Sequence, residues 1–130
     1  MRTLMLFLLA ASPVMAGEKG VIVDALVTGY CPCRKCCGKF SDGKTSRGRN
    51  AQLPGCAVDP KRIRYGSFVE IPAVKGFPKM KLLADDTGGA MRRSKVVHVD
   101  VRFKTHATAL RWGRRRLKIR IIPPSPKKGK

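Results

Sequence analysis

Negative charge is what this sequence has least of. Only 8 Asp and Glu stand against 28 Lys and Arg, which gives a formal net charge of +20 at pH 7. Aromatic residues are also few, 6% of the chain with a single Trp. A core must therefore come mainly from Val, Ile, Leu and Ala, which favours a small β-rich or mixed domain over a helix bundle. After residue 16 no stretch approaches the ~20 apolar residues of a membrane span, so stable membrane insertion is not expected. No internal repeat is evident, and 130 residues suffice for one small domain.

At the N-terminus, Met1-Arg2, the apolar run Leu4 to Ala11 and small residues ending at Ala16 follow the order of a secretory signal. The same run would otherwise be read as a first core strand or helix. The expected organisation is a signal peptide over 1–16, a folded domain over 17–122 and a basic disordered tail over 123–130, whose Pro-Pro-Ser-Pro-Lys-Lys-Gly-Lys composition cannot pack. Export places the protein as secreted or periplasmic and cell-wall associated, and no Cys follows the cut to carry a lipid anchor. An exported basic surface meets anionic wall polymers and peptide carboxylates before nucleic acid. The expected partners are thus peptidoglycan glycan strands and other anionic wall polymers, with no nucleic acid, and the chain is expected to be a monomer. A basic nucleic-acid-binding protein is the alternative that the tail supports, and a merely solvated basic face is the plainest one.

The same compartment turns the cysteines Cys31, Cys33, Cys36, Cys37 and Cys56 toward disulfides. Two bridges with one thiol left over are expected, and the connectivity stays open. The rival is zinc, because Cys33-x-x-Cys36 has ligand spacing and Cys56 could complete a site. The chemistry expected below requires neither a metal nor a cofactor.

Strands are expected at Val21 to Val27, Ala57-Val58, Ser67 to Ile71, Met80 to Ala84, Val96 to Arg102 and Leu117 to Ile121, from β-branched content and alternation. Thr28-Gly29-Tyr30 reads as the end of the first strand. A short helix is expected from a Thr105 cap through Trp112, stopped by Gly113. Residues 38–55 read as a long surface loop. Six short strands in a chain this small suggest a closed or nearly closed β-barrel.

Against this background, two of the scarce carboxylates, Asp85 and Asp86, stand side by side between an apolar run and Gly88-Gly89. Neighbours on a strand face opposite sides, so one of the two should enter a cleft and the other remain on the surface or cap a turn. Three segments add to this: Thr28-Gly-Tyr-Cys-Pro-Cys-x-x-Cys-Cys-Gly38; Cys56-Ala-Val-Asp-Pro60; and Asp86-Thr-Gly-Gly-Ala90 followed by Val99-Asp100 and Ala109-Leu-x-Trp-Gly113. In this order they resemble the three-aspartate (3D) domain family of secreted bacterial wall proteins, over about Ala25 to Ile121. That family is similar to the barrel domain of membrane-bound lytic transglycosylase A and more distantly to expansins and rare lipoprotein A.

The resemblance implies a mainly β fold, a six-stranded double-psi β-barrel with a short helix. It also implies a peptidoglycan lytic transglycosylase, cleaving the MurNAc-GlcNAc bond with a 1,6-anhydro product. Asp86 matches the catalytic aspartate, and Asp59 and Asp100 match the supporting pair. Two segments depart from the family pattern. The Met91 to Val97 connection between Asp86 and Asp100 is longer than usual, and Ile63-Arg64-Tyr65-Gly66 stands where Ile-Pro-Leu-Gly is preferred.

Such a reaction needs one carboxyl that is protonated near neutral pH, because the sugar's own C6 hydroxyl replaces both water and an enzyme nucleophile. Burial or neighbouring negative charge has to raise its pKa. Asp86 is the expected acid and base, with Asp59 and Asp100 holding its proton on. Their plainer readings are an Asx-turn before Pro60 for Asp59 and a salt bridge with Arg102 or Lys104 for Asp100. Thr28, Thr45, Thr87 and His98 are candidate substrate-binding residues, whereas Trp112 is expected in the core. The alternative from a different class is a non-catalytic, expansin-like wall-binding module.

Overall fold

The computed structural model describes residues 20–125. The signal peptide expected over 1–16 and the last tail residues, 126–130, lie outside the described residues. Six strands close into a barrel: β1 (Val21–Tyr30), β2 (Cys56–Ala57), β3 (Phe68–Ile71), β4 (Met80–Asp86), β5 (His98–Arg102) and β6 (Arg115–Ile122). Their spatial order is β1-β5-β2-β4-β3-β6. β1 runs parallel to β5 and β2 parallel to β4, and the other neighbours are antiparallel. The expected mainly β, six-stranded barrel is thus found. Among the described residues, no helix is long and apolar enough to cross a membrane.

Aliphatic side chains fill the barrel, as the shortage of aromatics requires. Ala25 and Val27 of β1, Val69 and Ile71 of β3, Leu82 and Ala84 of β4, Val99 and Val101 of β5 and Ile119 of β6 share one buried cluster. Full burial of a Val, Leu or Ile contributes roughly 1.5–3 kcal/mol, so these alternating positions hold the strands in register.

Among the described residues, three short helices accompany the barrel rather than one: α1 (Arg34–Cys37), α2 (Gly89–Arg93) and α3 (His106–Trp112). A 3₁₀ turn, Gly38–Phe40, follows α1. The first two are too short to display a helical period in sequence. The third forms as expected: the Thr105 side chain accepts a hydrogen bond from the Thr108 amide, and Gly113 terminates the helix at φ 70°. Trp112 is buried and its indole N–H donates to the Val27 carbonyl oxygen at 3.2 Å, which clamps α3 onto β1. Phe77 meets the Trp112 ring edge-on at a centroid distance of 4.9 Å, and Phe103 lies 5.7 Å away. Three of the chain's eight aromatic residues are therefore spent on fixing one helix to the barrel.

Thr28-Gly29-Tyr30 continues β1 to its end instead of terminating it. Gly29 is required by packing: a Cβ there would lie 2.7 Å from the Phe103 ring and 3.3 Å from Trp112. Gly29→Ala is accordingly expected to lower stability by about 1–3 kcal/mol, the usual cost of overpacking. Denaturant unfolding measures this, with Gly29→Ala/Phe103→Leu recovering part of the loss if the clash with the ring is its cause.

Candidate active site

β4 is bulged where it pairs with β2. Cys56 pairs with Ala84, and the next residue, Ala57, pairs with Asp86, so that Asp85 is the extra residue. Bulges kink a strand and re-aim its side chains, and here the two adjacent carboxylates part company. Asp86 lines a cleft of about 470 Å³, together with Asp100, Thr45, Thr87 and Arg102. Asp85 turns away and is only 4% exposed.

The placement of Asp85 corrects the expectation of a surface or turn-capping residue. Arg102 grips it through both carboxylate oxygens, Nη1 to Oδ1 at 2.9 Å and Nη2 to Oδ2 at 2.8 Å, and Arg49 pairs with Oδ2 as well. Arg102 also donates from Nε and Nη2 to the Leu53 carbonyl oxygen, at 3.1 and 2.7 Å. Burial alone would favour proton loss from Arg102, but its bonds to Asp85 and Tyr30 outweigh this and hold its pKa above the ordinary value. Gly55 makes room for the pair, since a Cβ there would come within 2.6 Å of both Asp85 oxygens. The suggested salt bridge of Asp100 with Arg102 is thus replaced by one with Asp85.

Three donors converge on Asp86. The Tyr30 hydroxyl donates to Oδ2 at 2.8 Å, while the Ser46 and Thr87 amides donate to Oδ1, each at 2.9 Å. Tyr30 in turn accepts from Arg102 Nη1 at 3.2 Å, so β1, β4, β5 and the 41–55 loop all meet at this carboxylate. Burial is the main reason the Tyr30 phenol is held above its ordinary pKa, which keeps it a donor.

Asp100 reaches the cleft from β5, and Oδ1 accepts from the Thr28 hydroxyl at 2.9 Å. Burial raises its pKa to about 6; the Thr28 bond opposes that rise and the Asp86 charge adds to it. Thr28 Oγ1 also lies 2.8 Å from His98 Nε2. A hydroxyl has one hydrogen to give. With Asp100 ionised that hydrogen goes to the carboxylate; with Asp100 protonated its own O–H can face Thr28, freeing the hydroxyl hydrogen for His98. Burial lowers the His98 pKa, against a bond to the Ala90 backbone and with a smaller push from Arg114, and so favours the neutral ring.

The remaining candidates divide. Thr45 lines the cleft, but its hydroxyl accepts from the Arg47 and Arg49 amides, both at 3.1 Å, and so shapes the loop. Thr87 also lines it, and its hydroxyl donates to the Val58 carbonyl oxygen at 2.7 Å and accepts from Arg92 at 3.1 Å. Thr28 and His98 stand behind Asp100 rather than among the lining residues. Asp59 is also absent from the lining. Its Oδ1 accepts from the Lys61 amide at 3.1 Å and Arg62 lies 3.9 Å from Oδ2, the Asx-turn geometry that was its plainer reading. The longer Met91 to Val97 connection starts within α2 and leaves Asp86 and Asp100 on the same cleft.

Sequence reasoning missed Tyr30, Arg102 and the Ser46 amide as parts of the site. Tyr30 lies within the Thr-Gly-Tyr-Cys segment, and Arg102 follows Asp100 at strand spacing, which are the only local signals. Among the described residues, the structure bonds Cys31 to Cys33 and leaves Cys36, Cys37 and Cys56 as thiols, rather than forming two bridges. Cys56 is fully buried in β2, where burial raises its pKa, and it lies apart from the group formed by the other four cysteines.

A closed six-stranded β-barrel is the fold that the three-aspartate resemblance implies. The chain belongs to the 3D domain family, whose model matches residues 55–123. It is also 33% identical over 104 residues, 79% of its length, to YabE of Bacillus subtilis (strain 168), a protein whose name assigns it to cell wall shaping. The match spans 23% of that relative.

The raised Asp100 pKa has a consequence for stability. Folding takes up a proton on this group between its unfolded value of 3.8 and about 6, so its contribution is full below 3.8 and is lost as pH rises through 6. The displacement corresponds to ~3 kcal/mol at most. Asp100→Asn is expected to raise stability relative to wild type at pH 8 and to change it little at pH 4, read from urea midpoints. An unchanged difference across that range would contradict the raised pKa.

Proposed function

We propose that this protein is a cell-wall enzyme that cleaves the MurNAc-GlcNAc bond of peptidoglycan as a lytic transglycosylase. The observation that carries this reading is the pairing of Asp86 and Asp100 in one cleft, with the pKa of Asp100 raised to about 6 by burial. Below about 6 Asp100 keeps a proton in the cleft beside Asp86, which is what a single-acid mechanism needs.

In this mechanism Asp86 faces the scissile bond. It protonates the leaving GlcNAc oxygen as the MurNAc C6 hydroxyl closes onto C1, and the same carboxylate then takes the C6 hydroxyl proton. Asp100, on the same cleft, holds a proton in the resting state and passes it to Asp86, so that Asp86 is protonated when the leaving oxygen needs it and is reprotonated by the C6 hydroxyl at the end of the turnover. Tyr30 and the Ser46 and Thr87 amides fix the Asp86 carboxylate, so little reorientation is needed during the reaction. Lys44 and Arg92 on the cleft wall suit the lactyl and peptide carboxylates of peptidoglycan. Asp59 shapes the turn after β2 and supports the site from outside it. Export to the wall and action as a monomer complete the reading.

Digestion of purified peptidoglycan, followed by mass spectrometry of the products, tests it. The wild type is expected to release 1,6-anhydro-muropeptides, with a rate that falls as pH rises through about 6, where Asp100 loses its proton. Asp86→Asn is expected to lower the rate by about 10²–10⁴, the usual worth of a positioned acid-base group. Binding to peptidoglycan with no product from the wild type would leave a wall-binding module instead, and undiminished product from Asp86→Asn would remove that residue from the chemistry.

A further inference from the structure

Beside the cleft, a second group of side chains remains unused by the proposed reaction. Cys31 directly follows β1, Cys33 and Cys36 flank the first turn of α1, and His106 opens α3, 70 positions beyond Cys36. Cys36 Sγ lies 3.2 Å from Cys31 Sγ and 3.3 Å from His106 Nδ1. The four donor atoms of Cys31, Cys33, Cys36 and His106 all lie within 4.8 Å of one another. We propose that, in its thiol form, the chain binds one Zn²⁺ through the thiolates of Cys31, Cys33 and Cys36 and Nδ1 of His106.

The donor set fits that ion. Three sulfurs and one imidazole nitrogen make a common structural zinc set, and with Zn–S near 2.3 Å a regular tetrahedron has edges of ~3.8 Å. Rotations of the half-buried Cys33, Cys36 and His106 side chains about the buried Cys31 bring the present separations to that value. Thiolate and imidazole donors select zinc over magnesium or calcium. Binding releases three thiol protons, forms three Zn–S bonds and one Zn–N bond, and requires no oxidant or reductant.

With four protein ligands the coordination is closed, so the ion acts structurally and takes no part in bond cleavage. It joins the end of β1 to the start of α3 and fixes the segment carrying Cys36 and Cys37, which forms one wall of the cleft. Tyr30, the donor to Asp86, immediately precedes the ligand Cys31. The Cys31–Cys33 disulfide uses two of the four ligands, so the bonded and zinc-loaded forms exclude each other. Cys56 is shut inside the barrel and Cys37 Sγ instead approaches the Cys31 carbonyl oxygen; neither belongs to the set.

Metal content and cobalt spectroscopy of the full chain, prepared under reducing conditions, test the site. The expected result is one equivalent of zinc, and on substitution by Co²⁺ the thiolate charge-transfer and tetrahedral d–d bands. His106→Ala and Cys36→Ser should each weaken metal binding at least tenfold, while Cys37→Ser and Cys56→Ser bind as wild type. Alkylation of the wild-type chain supplies a readout that does not depend on how variants fold: zinc should protect Cys31, Cys33 and Cys36 and leave Cys37 reactive. No metal uptake by the fully reduced chain, equal alkylation with and without zinc, or an unchanged cobalt spectrum in His106→Ala overturns the proposal.

Discussion

The guanidinium of Arg102 is the point on which the site depends. It is buried with Asp85, bonds both of that residue's oxygens, closes the loop by bonding Leu53 and reaches the Tyr30 hydroxyl. A buried charge this far from water is tolerated only when its partners are complete, and removing one member of such a pair typically costs 3–5 kcal/mol. Here the partners come from β1, β4 and the 41–55 loop. The ion pair is therefore less a source of net stability than a device that allows one arrangement of these segments and penalises others. Asp86 inherits that arrangement through Tyr30.

This division of labour explains how an acidic site persists in a chain with a net charge of +20. Nearby cations lower carboxyl pKa values, yet Asp100 has a raised one. Arg102, a cation on the same cleft, is already engaged by Asp85. Asp85 thus shields the cleft carboxylates by occupying the guanidinium, although it does not enter the cleft. Two adjacent aspartates with opposite duties are separated by the extra residue in β4.

Much of the barrel was legible in the sequence because β-branched alternation reports burial directly, as in Val97 to Val101 and Leu117 to Ile121. The cap and stop of α3 were legible because Thr105 and Gly113 act locally. What remained hidden was non-local. Nothing near Asp85 in the sequence announces a bulge, which depends on the register between β4 and β2. His106 lies so far from the cysteines that spacing alone nominated Cys56 instead. Asp59 was placed among the working carboxylates by motif position, while its neighbours Pro60 and Lys61 carried the turn signal that the structure realises. The short helices α1 and α2 fall below the length at which periodicity carries information.

The seam between β1 and β6 joins the two ends of the described fold: Val21 lies opposite Ile121, and the pairing runs inward to Val27 opposite Arg115. Both ends therefore leave the barrel at the same place. Tension applied through them would load this ladder in an unzipping geometry, breaking hydrogen-bonded pairs one after another instead of shearing them together. Mechanically, the barrel's weakest direction is the line along which flanking chain would pull.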